Sequence, residues 1–304
     1  MLLTGATGFV GRAVLERGSD QEWVAVARTA PPDWGRELAH VEWVKADLTS
    51  PGLAQALPSD FGAVVHLARS RRQRDFPDGA IDDFEVNVGT TARLLDHARL
   101  SGAQRFVLAS TATVYAPSAE PLTEDAALSG TPYFAACKRA AELLVAAYAG
   151  QLQGVVLRLF TAYGPGQSGQ LISELVERVR GGESIVVEGR RGLLLSPIHV
   201  DDIADAVLAS LAVSGHEGGE PLLLNIGGPD RLGIREIGEK IGWELGIEAR
   251  FDSREGGEPG GYLADCSRAL RRLGVPEPVA FREGLARTLA SEGGTGPQGG
   301  RRGS

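Results

Sequence analysis

Thr4-Gly5-Ala6-Thr7-Gly8-Phe9-Val10-Gly11 decides how this chain is read. The stretch follows a short apolar run, Met1-Leu2-Leu3, and leads into Arg12-Ala13-Val14-Leu15-Glu16-Arg17, which alternates faces as a helix does. A glycine-rich turn between strand and helix lets backbone N–H groups approach a pyrophosphate, and the helix N-terminus adds a favourable field for that anion. Glycines at 5, 8 and 11 leave no Cβ in the way of a dinucleotide or of the helix–strand contact. Three glycines alone say little in a chain that has 41. The strand before and the helix after carry the reading, and Gly5, Thr7, Gly8, Phe9, Val10 and Gly11 become the expected cofactor cradle. Only Met1 to Thr4 precede Gly5, whereas a usual strand has roughly five or six residues. Either the start lies upstream or the central strand is clipped.

A length of 304 residues sets a prior of about two domains. Hydrophobic residues at 43% and charged residues at 23% are ordinary for a soluble globular protein. The net charge of −8 argues against a general binder of nucleic acid or anionic membranes. No apolar run approaches the roughly 20 residues that span a bilayer, and the N-terminus does not read as a signal peptide. Two cysteines, Cys137 and Cys266, make neither a disulfide framework nor a metal-ligand spacing. A reducing cytoplasm and the absence of a metal are the expectations.

Along the chain, Glu22 to Ala27 is a β-rich run that ends at Arg28. The residue closing the second strand faces the adenosine ribose, where an acid accepts from a 2′-hydroxyl and an arginine pairs with a 2′-phosphate. Arg28 therefore favours NADP(H), with NAD(H) left open and a solvated loop arginine as the plainer alternative. A third strand, Val41 to Ala46, delivers Asp47-Leu48 to a loop, and the apolar run Ala63 to Ala68 suits a strand buried on both faces. His66 inside that run is assigned to the core. Arg69 to Arg74 is a basic cluster that is either a solvated loop or part of the substrate mouth. Asp82 to Leu100 is helical, Arg105 to Ala109 is the fifth strand, Tyr133 to Ala149 a long helix, and Val155 to Phe160 the sixth strand. This alternation predicts an α/β fold, a Rossmann-type doubly wound parallel sheet over 1–165, completed by about 184–213. A smaller α/β substrate-binding lid is expected over 166–290. The segment 291–304 (SEGGTGPQGGRRGS) lacks apolar residues altogether and is expected to be a disordered tail. Ligands in such sheets lie at the carboxyl ends of the strands. That rule sets Gly5, Arg28, Asp47, Ala68, Thr111 and Thr161 along one edge.

Several motifs follow one another: TGATGFVG at 4–11, VVHLA at 64–68, NVGTT beginning at Asn87, STATVY at 110–115, RLFTAYGPGQ at 158–167 and HVDDIADA at 199–206. On these the chain, to about residue 290, resembles the extended short-chain dehydrogenase/reductases, the NAD(P)-dependent nucleotide-sugar epimerases, dehydratases and reductases. The resemblance implies hydride transfer at a sugar carbon, with a tyrosine as acid/base and a nearby lysine that lowers its pKa and holds the nicotinamide ribose. A serine or threonine hydrogen-bonds the reacting oxygen. Carried over, the catalytic set is Tyr133, Lys138 and Thr111. Asp47, Leu48, Leu67, Ala68 and Lys138 join Arg28 and the turn in binding cofactor, and Asn87, Thr161 and Arg69 are assigned to substrate. A phenol near pKa 10 is a poor base at neutral pH unless a cation stabilises its phenolate. A homodimer through the long helices is usual for the resembled family.

The chain departs from that pattern where it matters most. The family spaces its pair Tyr-x-x-x-Lys, but Tyr133-Phe134-Ala135-Ala136-Cys137-Lys138 spaces them by five. At about 100° per residue, four steps leave two side chains about 40° apart and five leave about 140°. Either an irregular first turn or π-bulge absorbs the extra residue and Tyr133 reaches the site, or Phe134 takes the tyrosine position. Ala112-Thr113 after Thr111 replaces the Asp-Glu of dehydratases, which disfavours elimination. Net reductases exchange NADPH at every turnover, and Arg28 tips the reading toward a 4-ketoreductase acting on a nucleotide-linked deoxysugar. An epimerase, a reductase of a small non-sugar carbonyl compound, and a silent cofactor-binding regulatory protein remain the alternatives.

Overall fold

The computed structural model describes residues 1–129, 131–213, 219–257 and 260–293. Six strands alternate with helices from the N-terminus: β1 (Leu2–Thr4), β2 (Trp23–Ala27), β3 (Val41–Lys45), β4 (Ala63–His66), β5 (Arg105–Thr111) and β6 (Gln153–Leu159). With Leu222–Ile226, β11 in chain order, they form one seven-stranded sheet in the order β11-β6-β5-β4-β1-β2-β3, every pair parallel. The order reverses between β1 and β4, and in doubly wound sheets ligands lie outside the strand ends at that reversal.

The sequence builds this sheet by period-two burial. Leu2 and Leu3 on β1 are both fully buried but face opposite layers. Leu3 joins Ala25, Val65 and Val107 beneath α1 (Phe9–Arg17) and α8 (Val200–Ser210). Leu2 joins Val26, Val64 and Phe106 beneath α5 (Thr90–Leu100) and α6 (Tyr133–Ala147). Fully burying one such leucine is worth roughly 1.5–3 kcal/mol, so even a three-residue strand is anchored from both sides. Arg17 clamps α1 to α8 through a two-pronged bond to Asp205 at 2.7 and 2.6 Å.

The helix expected over Asp82 to Leu100 is continuous but not uniform. It starts as α4 (Ala80–Phe84), passes through a π-helical turn, Glu85–Gly89, and continues as α5. The irregularity anticipated as one option at Tyr133 therefore lies at Asn87.

The smaller half has its own core, in which α7 (Leu171–Arg180) and α9 (Ile234–Leu245) bury Ile172, Leu175, Ile237 and Ile241 against β8 (Ser184–Glu188). That strand, expected to help complete the Rossmann half, pairs instead with β13 (Arg250–Arg254). Leu222–Ile226, expected within the lid, is the strand that extends the large sheet, because its run of apolar residues fits beside β6. The tail expected from Ser291 begins inside a helix, Phe281–Gly293, and 294–304 lie outside the described residues. No helix among the described residues is long and apolar enough to cross a membrane.

A buried ion pair ties α6 to the sheet. Arg158 on β6 donates to both carboxylate oxygens of Glu142, at 3.0 and 2.7 Å, and each side chain is about 1% exposed. Burial pushes the Glu142 carboxyl up, but the bonds and charge of Arg158 outweigh it and hold the carboxyl below the usual range. Stability from this depressed value is present above the unfolded pKa and is lost as pH falls through the folded one. Glu142→Ala leaves the Arg158 guanidinium buried and unpaired, and should cost about 3–5 kcal/mol in urea unfolding. A cost below about 1 kcal/mol would show that water replaces the partner.

Candidate functional site

The turn after β1 is shaped for close approach. Gly5 has φ +74°, and a Cβ there would stand 2.6 Å from the Ala68 nitrogen and 2.7 Å from the Leu67 carbonyl carbon. At Gly11 a Cβ would collide with the carbonyl oxygen of Gly5. Gly8 closes the turn with its N–H on the Gly5 carbonyl at 2.9 Å and begins α1 as an N-cap without a side chain. The first N–H groups of α1 thus face the cleft with no capping side chain, which suits a pyrophosphate. Thr7 is exposed beside them, while Phe9 and Val10 are half-buried. Leu67 and Ala68 flank the turn across the switch point, with the Leu67 N–H on the Thr4 carbonyl at 3.1 Å. These residues fit a dinucleotide.

Past the end of β2, Arg28 is exposed, and among the described residues no hydrogen bond or ion pair engages it. Asp47 lies within its electrostatic reach and accepts the N–H and hydroxyl of Thr49 at 2.9 and 2.8 Å. Those bonds first, and the Arg28 charge after them, hold the Asp47 carboxyl low. The Leu48 carbonyl accepts the Thr90 hydroxyl at 3.0 Å, which pins this loop to α5. Arg12 points elsewhere, over the Trp34 ring at 5.0 Å and onto Glu16 at 2.7 Å.

The chemistry end differs from what the tyrosine reading requires. α6 is α-helical from Tyr133 onward, with no bulge, and Pro132 accepts the N–H groups of Ala135 and Ala136. Four residues before Lys138 therefore stands Phe134, and the Lys138 ammonium lies 5.9 Å from its ring centroid. Tyr133 turns to the mouth, where its ring stacks on Phe76 at 5.1 Å. Burial, then the neighbouring Cys137 and Asp83, hold its phenol above the ordinary value. A phenol raised in this way is the reverse of the activated base that the resemblance implied. No hydrogen bond joins Tyr133 to Thr111 or to Lys138 among the described residues.

Lys138 is 3% exposed and donates to the Ala109 carbonyl at 2.9 Å. Burial, reinforced by Arg69, brings its ammonium down to about 8. Thr111 ends the same strand two residues later, sharing a bond with the Thr113 hydroxyl at 3.0 Å and accepting the Thr113 N–H. Lys138 and Thr111 thus serve one strand end.

The substrate residues divide. Arg69 is exposed at the mouth. Thr161 is half-buried, and its carbonyl accepts the Ile198 N–H at 2.9 Å. Asn87, by contrast, is fully buried in the π-helical turn and gives its amide to Asp83, at 2.8 Å to the carbonyl and 2.6 Å to the carboxylate. His66 lies in the core as expected, bonded to Thr4 at 2.6 Å, and burial pushes its imidazole down to about 3. Sequence reasoning passed over Asp83, although its place one helical turn before Asn87 puts both on one face. It also missed the ion pair of Arg74 with Glu174, at 2.8 Å, which links the basic loop to α7. Among the described residues no group of three or more His, Cys, Asp and Glu side chains is placed to hold a metal ion.

Residues 1–227 match the family described as NAD dependent epimerase/dehydratase family. The chain is 30% identical over 236 residues to UDP-glucuronate 4-epimerase of Thermodesulfobacterium geofontis (strain OPF15), covering 75% of this chain and 71% of that one. It is 25% identical to dTDP-4-dehydro-6-deoxyglucose reductase of Escherichia coli, over 96% of each chain. Among solved structures, MoeE5 in complex with UDP-glucose and NAD superposes with a TM-score of 0.80 at 28% identity, covering 96% of this chain and 97% of that one.

Gly11→Ala tests the cradle. Its Cβ meets backbone, which cannot step aside as a flexible side chain can. Dinucleotide affinity, followed by fluorescence titration, should fall at least about tenfold, equivalent to roughly 1.4 kcal/mol. An unchanged affinity would mean that the cofactor does not use this turn.

Proposed function

The chain belongs to the NAD dependent epimerase/dehydratase family, and from that premise we propose that it uses NADPH to reduce a keto group on a nucleotide-linked deoxysugar, with Lys138 in place of a tyrosine as the proton source. The observation that carries this reading is the Phe134 ring, not a phenol, one turn before Lys138. Epimerisation and dehydration begin by oxidising the substrate, so they need a base for a hydroxyl proton. Reduction needs only an acid for the oxygen that gains the electrons. At neutral pH a lysine whose ammonium titrates near 8 is mostly protonated, a donor rather than a base.

Bound in the cradle, NADPH would supply the hydride; Gly5, Gly8, Gly11 and the first turn of α1 would hold its pyrophosphate, and Arg28 would meet the 2′-phosphate. Thr111 hydrogen-bonds the substrate carbonyl oxygen. As that oxygen gains charge it takes a proton whose source is the Lys138 ammonium, held at the same strand end by its bond to the Ala109 carbonyl, and Lys138 regains one from solvent. The Escherichia coli relative, a reductase of a 4-keto deoxysugar nucleotide, supports the substrate class. A second reading, a cofactor-binding protein without turnover, draws on the same Phe134.

The test is NADPH oxidation against UDP- and dTDP-linked 4-keto-6-deoxysugars. Tyr133→Phe should retain kcat within about twofold, whereas Lys138→Met should lose about a hundredfold or more. Loss in Tyr133→Phe would restore the tyrosine mechanism, and tight NADPH binding without turnover on any substrate would favour the silent reading. Turnover should hold at lower pH and decline as pH rises through about 8, as the ammonium loses its proton. Arg28→Ala should weaken NADPH about tenfold or more and leave NADH unchanged, since only the former offers a phosphate for a charge-assisted bond. Equal losses for both would refute the 2′-phosphate role.

A further inference from the structure

Three buried polar atoms in the neighbourhood of Lys138 lack a hydrogen-bond partner among the described residues: Asp83 Oδ2, Asn87 Oδ1 and His66 Nε2. Buried polar atoms in native interiors nearly always have a partner, so each such atom calls for an explanation. Asp83 is the ionisable acid among the three, and it is 2% exposed. It reaches the site because α4 packs on α6, and the π-helical turn that follows brings Asn87 back onto it. The Asn87 amide fixes one carboxylate oxygen at 2.6 Å and leaves the other free.

The charges around this carboxylate can be named. From α6 it faces Lys138, with Cys137 and Tyr133 beyond; from the segment after β4 it faces Arg69; from its own helix, Asp82. Lys138 in turn faces Arg69, Asp83, Glu142 and Cys137, and senses His66 from β4. Burial and Arg69 both work against its ammonium. Of the two nearby carboxylates that favour it, Glu142 is already committed to Arg158, Arg139 and Ser110. Asp83 is left. Burial raises the Asp83 carboxyl, which Lys138 and Asn87 counter.

We propose that Asp83 is a positioning residue that keeps Lys138 protonated as the proton donor, a task that falls to a carboxylate because Phe134 has no proton to share. The inference depends on the proposed reduction only for its kinetic test. No ion pair within 4 Å joins the two side chains among the described residues, so the coupling is a through-space attraction between two buried groups on helices packed together, α4 and α6.

The chain has three lysines, Lys45, Lys138 and Lys240, so protein labelled with ¹³C at lysine Cε gives three titrating signals. Lys45→Arg and Lys240→Arg identify that of Lys138. In the NADPH complex, Asp83→Asn should lower the Lys138 midpoint by about one pH unit, and Asp83→Glu should hold it. The pH above which kcat declines should move down with it, which near pH 8 amounts to about a fivefold loss. An unmoved midpoint overturns the proposal, as does a midpoint that moves without the kinetic limb. If the wild type reduces no keto-sugar nucleotide, the proposed function fails, while the Lys138 midpoint in Asp83→Asn still decides the part assigned to Asp83.

Discussion

The Glu142–Arg158 pair fixes the register of the helix that carries Lys138. Two parallel bonds hold the guanidinium to the carboxylate in a region closed to water, and Ser110 on β5 adds a third at 2.6 Å. Arg158 also reaches the Tyr115 hydroxyl, which donates to Asn225 on β11, while the Asn225 backbone N–H donates to the Glu124 carboxylate. Glu124 and Asp125 are paired with Arg268 on the helix Ser267–Leu273. The chain of contacts thus runs from α6 through three strands to the helix that packs beside α8 on the large sheet. A helix anchored at Glu142 has no freedom to rotate and bring a displaced side chain inward. The additional residue between Tyr133 and Lys138 is pushed to the N-terminal end, where Tyr133 settles against Phe76.

Binding and chemistry are therefore built to different standards in one site. The turn after β1 has the shape that a pyrophosphate asks for: glycines where Cβ atoms would strike backbone, and a helix start without a capping side chain. At the other end the lysine keeps its place, but its neighbour one turn earlier is an aromatic ring. A cation–ring contact steadies the ammonium and exchanges no proton. This asymmetry favours a reaction that asks the protein for a donor alone.

Much of this was legible in the chain itself. Apolar pairs such as Leu2-Leu3 and Val64-Val65 bury on both faces of a parallel strand, so the sheet could be read from them. The turn at Gly5 to Gly11 was readable because its demands are steric and local. What escaped were properties of register between distant segments. Ser184 to Glu188 and Leu222 to Ile226 look alike as short apolar strands, and only tertiary pairing assigns the first to the small sheet and the second to the large one. The same holds for irregular turns: a spacing of five left open either a bulge at Tyr133 or Phe134 in the tyrosine position, and only the packed helix decides for Phe134, while a π-helical turn lies unannounced at Glu85–Gly89. Asp83 was invisible because an acid in an acidic helix start, Asp82-Asp83, reads as solvated until the helix is packed on α6.

The contact between Gly5 and the chain after β4 has a further consequence. The space where a side chain would begin at Gly5 is filled by the backbone of Leu67 and Ala68. Neither segment can be altered in shape unless the other yields, although they are far apart in sequence. For inheritance and for engineering alike they are one unit of variation.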